Sequence, residues 1–208
     1  MSKRTLPILV FFSLTFATTR AQTTVTVNNT PGSAATYRTL QGALDSVAPG
    51  SIILVQPGSA SYGQVIVRKL VSIFGAGYLL NLNPAPNAQA NPAESVVDLI
   101  TFDAGSNGSM VSGIALNSRS TPYPYQRIDI KNTSNITITR CHISRDGGSS
   151  FITASGSSNI VVRQCFFFNS TNAEHIIYVN TSNNFQFYNC IFDGVGDNWG
   201  CYADVPTT

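Results

Sequence analysis

Charge is scarce in this chain. Acidic and basic side chains make up 11% of it, less than half the usual share of about one in four. Asn, Ser, Thr and Gly fill the polar positions instead. A surface so thin in Lys and Arg lacks the clustered cations that nucleic acid requires, so nucleic acid is not an expected partner. The formal net charge of +2 neither favours nor excludes an acidic polysaccharide. Cysteine is sparse as well. Cys141, Cys165, Cys190 and Cys201 all fall in the C-terminal third, and no two share a short loop, which argues against a zinc site. No metal and no cofactor is expected. Long apolar runs are lacking too: Leu6 to Phe16 is too short to span a bilayer and no later run is longer, so no transmembrane segment is expected. None of this implies disorder, because 43% of the residues are hydrophobic and they are patterned.

The N-terminus has the layout of a secretory signal. Lys3 and Arg4 open it, the apolar stretch follows, and Thr19-Arg20-Ala21 supplies small residues before a cut. Residues 1–21 are therefore expected to be a signal peptide and 22–208 a single domain, secreted or held at the cell surface.

What is abundant is repetition. SNITITRCHIS, SNIVVRQCFFF and NNFQFYNCIFD begin at Ser134, Ser158 and Asn183, 24 and 25 residues apart. A fixed period in this range marks a solenoid. An apolar pair precedes an asparagine in each unit: Ile128 and Ile130 before Asn135, Ile152 and Ala154 before Asn159, Ile177 and Val179 before Asn184. Each coil should hold three short strands, about 128–130, 136–138 and 141–143 in the first, with alternate residues pointing inward. Two tight bends and a longer connection, such as Ser144 to Ser150, complete it. One coil cannot bury its inner face, but coils stacked about 4.8 Å apart bury all but the ends. Like residues then stand over like. The inward columns are Ile136, Ile160 and Phe185; Ile138, Val162 and Phe187; Cys141, Cys165 and Cys190. The outward columns are Asp129, Thr153 and Tyr178; Thr139, Arg163 and Tyr188; His142, Phe166 and Ile191. Neighbouring cysteines at that spacing would permit disulfides, but as small apolar core residues they need no further explanation. Cys201, eleven residues past Cys190, falls outside this register.

Upstream, Thr36 can cap a helix in which Tyr37, Leu40, Ala43, Leu44 and Val47 share one face and which Pro49-Gly50 stops. The spacing predicts a helix over 37–48, placed as a lid on one end of the core. From Ser51 the period changes to two. Short β-branched runs at 52–55, 65–67, 71–75 and 97–102 lead to Val111–Leu116, which matches Ile138–Ile143 in apolar pattern. Asn81 to Glu94 and Ser118 to Gln126 read as loops.

The segment YRTLQGALDSVAPGSIILVQPGSASYGQVIVRKLVSIFGAG (37–77), followed by the SNITITRCHI-type units, resembles the pectin-lyase-like superfamily over about Tyr37 to Phe192. GAGYLLNLNPAPNAQANPAES (75–95) also resembles a feature of uncharacterised exported β-helix proteins of Bacteroidetes. The resemblance implies an all-β chain: a right-handed parallel β-helix (solenoid) of five or six coils with a short N-terminal capping helix. It also implies an acidic polysaccharide as ligand. Enzymes of that superfamily cleave such polymers with paired carboxylates, with a Ca²⁺-carboxylate cluster and an Arg or Lys base, or with two Asp and an Arg. The hydrolase motifs Asn-Thr-Asp, paired Asp, Gly-His-Gly and Arg-Ile-Lys do not occur here, and Arg127-Ile128-Asp129 breaks the last.

No outward column stacks two carboxylates. Asp129, with Asp146 and Glu174 from coil-closing loops on one edge, forms the best acid set for a polysaccharide lyase or glycoside hydrolase, although ordinary solvated loops explain those two acids better. A binding strip is expected at Tyr123, Tyr125, Arg127 and Arg163, where rings stack on sugars and guanidinium groups bond uronates. Tyr178 and Tyr188 read as cross-coil packing. The expected role is an exported module that engages polysaccharide without a catalytic set. A lyase or hydrolase, and a structural adhesin-like stalk, are the alternatives. Val195 to Thr208 offers no amphipathic cap, so further coils or another chain are expected over the C-terminal end.

Overall fold

A computed structural model describes residues 22–78, 93–117, 126–146, 150–171, 175–193 and 201–204. The expected signal peptide and most of both expected loops lie outside these residues. Three parallel sheets form the walls of a β-solenoid of about five turns. The seven-stranded sheet runs β1 (Thr24–Val27), β2 (Ser51–Val55), β4 (Val71–Phe74), β7 (Met110–Ser112), β10 (Thr137–Thr139), β13 (Ser158–Arg163) and β16 (Asn183–Tyr188). The five-stranded sheet runs β5 (Val96–Val97), β8 (Ala115–Leu116), β11 (His142–Asp146), β14 (Phe166–Thr171) and β17 (Ile191–Asp193). The six-stranded sheet runs β3 (Gln64–Val67), β6 (Leu99–Phe102), β9 (Ile128–Lys131), β12 (Ser150–Ser155), β15 (His175–Asn180) and β18 (Cys201–Asp204). From β4 onward the chain visits the seven-, five- and six-stranded sheets in turn and then starts the next coil.

The register follows the sequence period. Val111 pairs with Ile138, Ile138 with Val162 and Val162 with Phe187. Outside, Asp129 lies beside Thr153 and Thr153 beside Tyr178, while His142, Phe166 and Ile191 form another row. Ile136, Ile138, Ile143, Ile160, Val162 and Phe167 are wholly buried, each such side chain contributing about 1.5–3 kcal/mol. Phe167 packs edge-on to Phe151 at 5.5 Å and flat on Phe192 at 4.8 Å. Alternation in two-residue steps thus builds one continuous column of apolar contacts.

Sharp bends between the sheets need left-handed backbone, and two stacks of non-glycine residues supply it. Asn135, Asn159 and Asn184 have φ of 60°, 57° and 55°. Their amides form a ladder: Asn159 Nδ2 donates to Asn135 Oδ1 (3.1 Å) and Asn184 Nδ2 to Asn159 Oδ1 (2.7 Å). Arg140, Gln164 and Asn189, at φ of 50°, 54° and 50°, form the second stack. Asparagine adopts this region readily. Arg and Gln do so at some cost, held by the hydrogen bonds between coils, such as Arg140 N–H to the Arg163 carbonyl at 3.1 Å. One coil earlier Gly113 occupies that bend at φ +69°, where its carbonyl would stand 2.3 Å from any Cβ placed on Gly75.

The helix is shorter than expected: α1 spans Leu40–Ser46, capped by Thr39 rather than Thr36. Tyr37 is drawn out of it by pairing with β1, its N–H bonding the Thr26 carbonyl at 3.0 Å, and Thr36 instead bonds the Thr26 side chain. Thr39 has extended backbone and accepts from the Gly42 N–H at 3.1 Å. Lys69 Nζ caps the other end on the carbonyls of Asp45 and Val47. Leu40, Ala43 and Leu44 are buried against the first coil. No described helix is long and apolar enough to cross a membrane.

Cys141, Cys165 and Cys190 are free thiols stacked in one column. Each sulfur points at the carbonyl two residues back, at 3.2, 3.3 and 3.4 Å. The hydrogen bond with Cys141 and burial push the Cys165 thiol up to about 12, and Cys190 is raised in turn by Cys165 and by burial. They behave as small apolar groups. Cys201 stands outside that column, as expected, and pairs with Ile177 in the six-stranded sheet.

Candidate functional site

The outer face of the seven-stranded sheet carries two parallel rows of side chains. One is Leu54, Phe74, Ser112, Thr139, Arg163 and Tyr188; the other is Ile52, Ser72, Met110, Thr137, Val161 and Gln186. An open groove of about 450 Å³ crosses β4, β7, β10 and β13, lined by Phe74, Met110, Ser112, Thr139, Arg140, Arg163 and Gln164. It runs along the solenoid axis, because each of those strands belongs to a successive coil. Arg140 and Arg163 are both exposed. Arg140 Nε donates to Gln164 Oε1 at 3.3 Å, which aims one guanidinium along the rim. Neither arginine has a carboxylate partner among the described residues. Beyond Arg163, Tyr188 is 51% exposed, so it is not the packed ring expected from its place in the repeat. Its hydroxyl donates to Gln186 Oε1 at 2.8 Å, and Gln186 in turn donates to Asn184. The asparagine ladder therefore leads into the same face. Two uncompensated cations, hydroxyls, amides and an exposed ring on a rigid sheet suit a polyhydroxylated, negatively charged ligand.

The six-stranded sheet has an outer face of opposite character. Asp129 is only 4% exposed. Its carboxylate accepts from Thr153 Oγ1 at 2.8 Å and from Gln126 Nε2 at 3.3 Å, and pairs with Lys131 Nζ at 2.6 Å. Arg68 pairs with Asp103 at 3.3 Å on the same face. Asp129 is thus ion-paired and hydrogen-bonded through both oxygens, which leaves neither free to reach a substrate proton.

Arg127 must be removed from the expected binding strip. It is 1% exposed, with Nε donating to the Ser144 carbonyl at 2.8 Å. Strand alternation places it outward, but it precedes β9 at a corner of the coil, where alternation no longer sets direction. Arg163 alone of that strip is found on an open described surface. Tyr123, Tyr125 and Glu174 lie outside the described residues. Asp146 ends β11 at a bulge opposite Thr171, and its side chain also lies outside them. Among the described residues no cluster of three or more His, Cys, Asp or Glu could hold a metal ion.

Sequence reasoning missed Arg140, Gln164, Phe74 and Met110. Phe74 and Met110 look like core residues in the sequence. Strand parity from Ile73 and Val111, both wholly buried, was the signal that puts them outside.

No family model matches this chain, and no curated protein matches it. A solved structure from Parabacteroides merdae, described as a "putative glycosyl hydrolase", is similar over 83% of this chain and 99% of that one, with 13% identity and a TM-score of 0.43. A likeness of that size assigns no residue role and no activity here.

Proposed function

We propose that this chain is an exported β-solenoid module that binds an acidic polysaccharide along the outer face of its seven-stranded sheet and does not cleave it. The observation that carries the reading is the groove lined by Arg140, Arg163 and Gln164, in which neither guanidinium has a carboxylate partner among the described residues. A groove along the axis fits an extended chain, and Arg140 and Arg163 offer charge-assisted bonds to carboxylate or sulfate groups. Binding without cleavage is supported by the engagement of Asp129 with Lys131 and Thr153.

Affinity electrophoresis through gels holding polygalacturonate, alginate or neutral dextran tests this. The expected result is retardation by an acidic polymer, lost in high salt, with no reducing ends or unsaturated products released. Each charge-assisted bond contributes about 1.5–3 kcal/mol, so Arg140→Ala with Arg163→Ala should weaken retardation at least tenfold. Equal retardation by dextran, or an unaffected double variant, would overturn the reading.

A further inference from the structure

A separate cluster sits on the outer face of the five-stranded sheet. His142 on β11 has a side chain only 14% exposed, and its Nδ1 stands 3.8 Å from Glu94 Oε1. Among the described residues neither ring nitrogen has a hydrogen-bond partner. The ring stacks on Phe166 of β14 at 5.4 Å, and the Tyr78 ring lies 6.0 Å away on another side. Glu94 lies two residues before β5, and Tyr78 four residues after β4. These two segments are tied together: Ala76 N–H donates to Ser95 Oγ at 3.1 Å, and Ser95 Oγ donates to the Val55 carbonyl at 2.6 Å. Tyr78 reaches further, its hydroxyl donating to the carbonyl of Gln164 at 3.4 Å, on the rim of the groove.

We infer that His142 is a pH-operated latch that, when protonated, pairs with Glu94 and clamps segments 76–78 and 93–95 onto the five-stranded sheet. Two ring nitrogens without a hydrogen bond among the described residues, in a half-closed site, are a costly arrangement. A proton gives the ring two donors and a charge opposite a carboxylate already within ion-pair reach. Histidine is the side chain whose charge ordinarily changes between pH 5 and 8. The elements around the ring offer nothing to oppose it among the described residues: β8 presents Ala115 in register, β14 presents Phe166, and the flanking segments present Glu94 and Tyr78. The latch does not depend on what the groove binds.

Hydrogen exchange of the free protein, read as protection factors at pH 8 and pH 5, tests it. The amides to follow are Ala76, bonded to Ser95 Oγ, Ala115, bonded to the Ser95 carbonyl, and Tyr62, bonded to the Val96 carbonyl. Their protection should rise up to about five-fold at pH 5, the range of a partly exposed ion pair. The rise should vanish in Glu94→Gln, which leaves the ring stack untouched, and in His142→Phe, which keeps an aromatic ring on Phe166. It should persist in His175→Gln, since His175 is the other histidine of the chain. No rise in the parent protein, a rise kept in Glu94→Gln, or a rise lost in His175→Gln would each overturn the proposal.

Discussion

Two outer faces of one solenoid, built on the same alternation, treat charge in opposite ways. On the six-stranded sheet the charges are spent on each other: Asp129 with Lys131, Arg68 with Asp103. On the seven-stranded sheet Arg140 and Arg163 stand exposed without a carboxylate among the described residues. In a chain so poor in charge that difference is informative. A paired, buried carboxylate such as Asp129 serves stability, while a surface guanidinium without such a partner is available to a ligand.

The comparison can be broken by exchanging the two effects. Asp129→Ala should cost about 2–3 kcal/mol, because it leaves the Thr153 hydroxyl and the Lys131 ammonium without their partner. Urea unfolding measures this, and polysaccharide retardation should stay unchanged. Arg163→Ala should do the reverse, shifting stability by less than about 0.5 kcal/mol while weakening retardation about tenfold. A large stability loss there would mean that the arginine serves the fold.

The interior beneath both faces has its own signature. The hydrogen bond with Cys141 and burial push the folded Cys165 thiol up to about 12, from an ordinary 9.0. Its contribution to stability is therefore complete below about pH 9 and is lost as the pH climbs toward 12, at up to about 1.4 kcal/mol per pH unit. Unfolding free energies from urea should stay level from pH 8 to 9 and fall from pH 9 to 11, and the fall should flatten in Cys165→Ala. The smallest effect belongs to the N-terminal cap. Thr39 Oγ1 accepts from the Gly42 N–H at the helix start, so Thr39→Ala should cost about 1 kcal/mol, the worth of an N-cap, without touching either face.

Much of the fold was legible because identical layers repeat their chemistry. The columns of Ile138, Val162 and Phe187, and of Asp129, Thr153 and Tyr178, could be written down from spacing alone, and the structure pairs them so. Register is forced by burial, since a one-residue slip would turn a whole inner column outward. The groove was mostly illegible. It joins outward residues of four strands to bend residues, and nothing local marks Arg140 or Gln164 as left-handed positions, whereas Asn135, Asn159 and Asn184 carry that mark in their chemistry. Arg127 misled because parity fails at corners. The helix start misled because Tyr37 had a competing strand partner, β1, that spacing cannot reveal.

The most direct test is a backbone NMR titration with oligogalacturonate. The account predicts shifts concentrated at Ser112, Arg140, Arg163, Gln164 and Tyr188, fading as salt is added. Shifts gathered instead around Asp129, Thr153 and Tyr178 would place the ligand on the self-neutralised face and contradict the assignment of binding to unpaired charge.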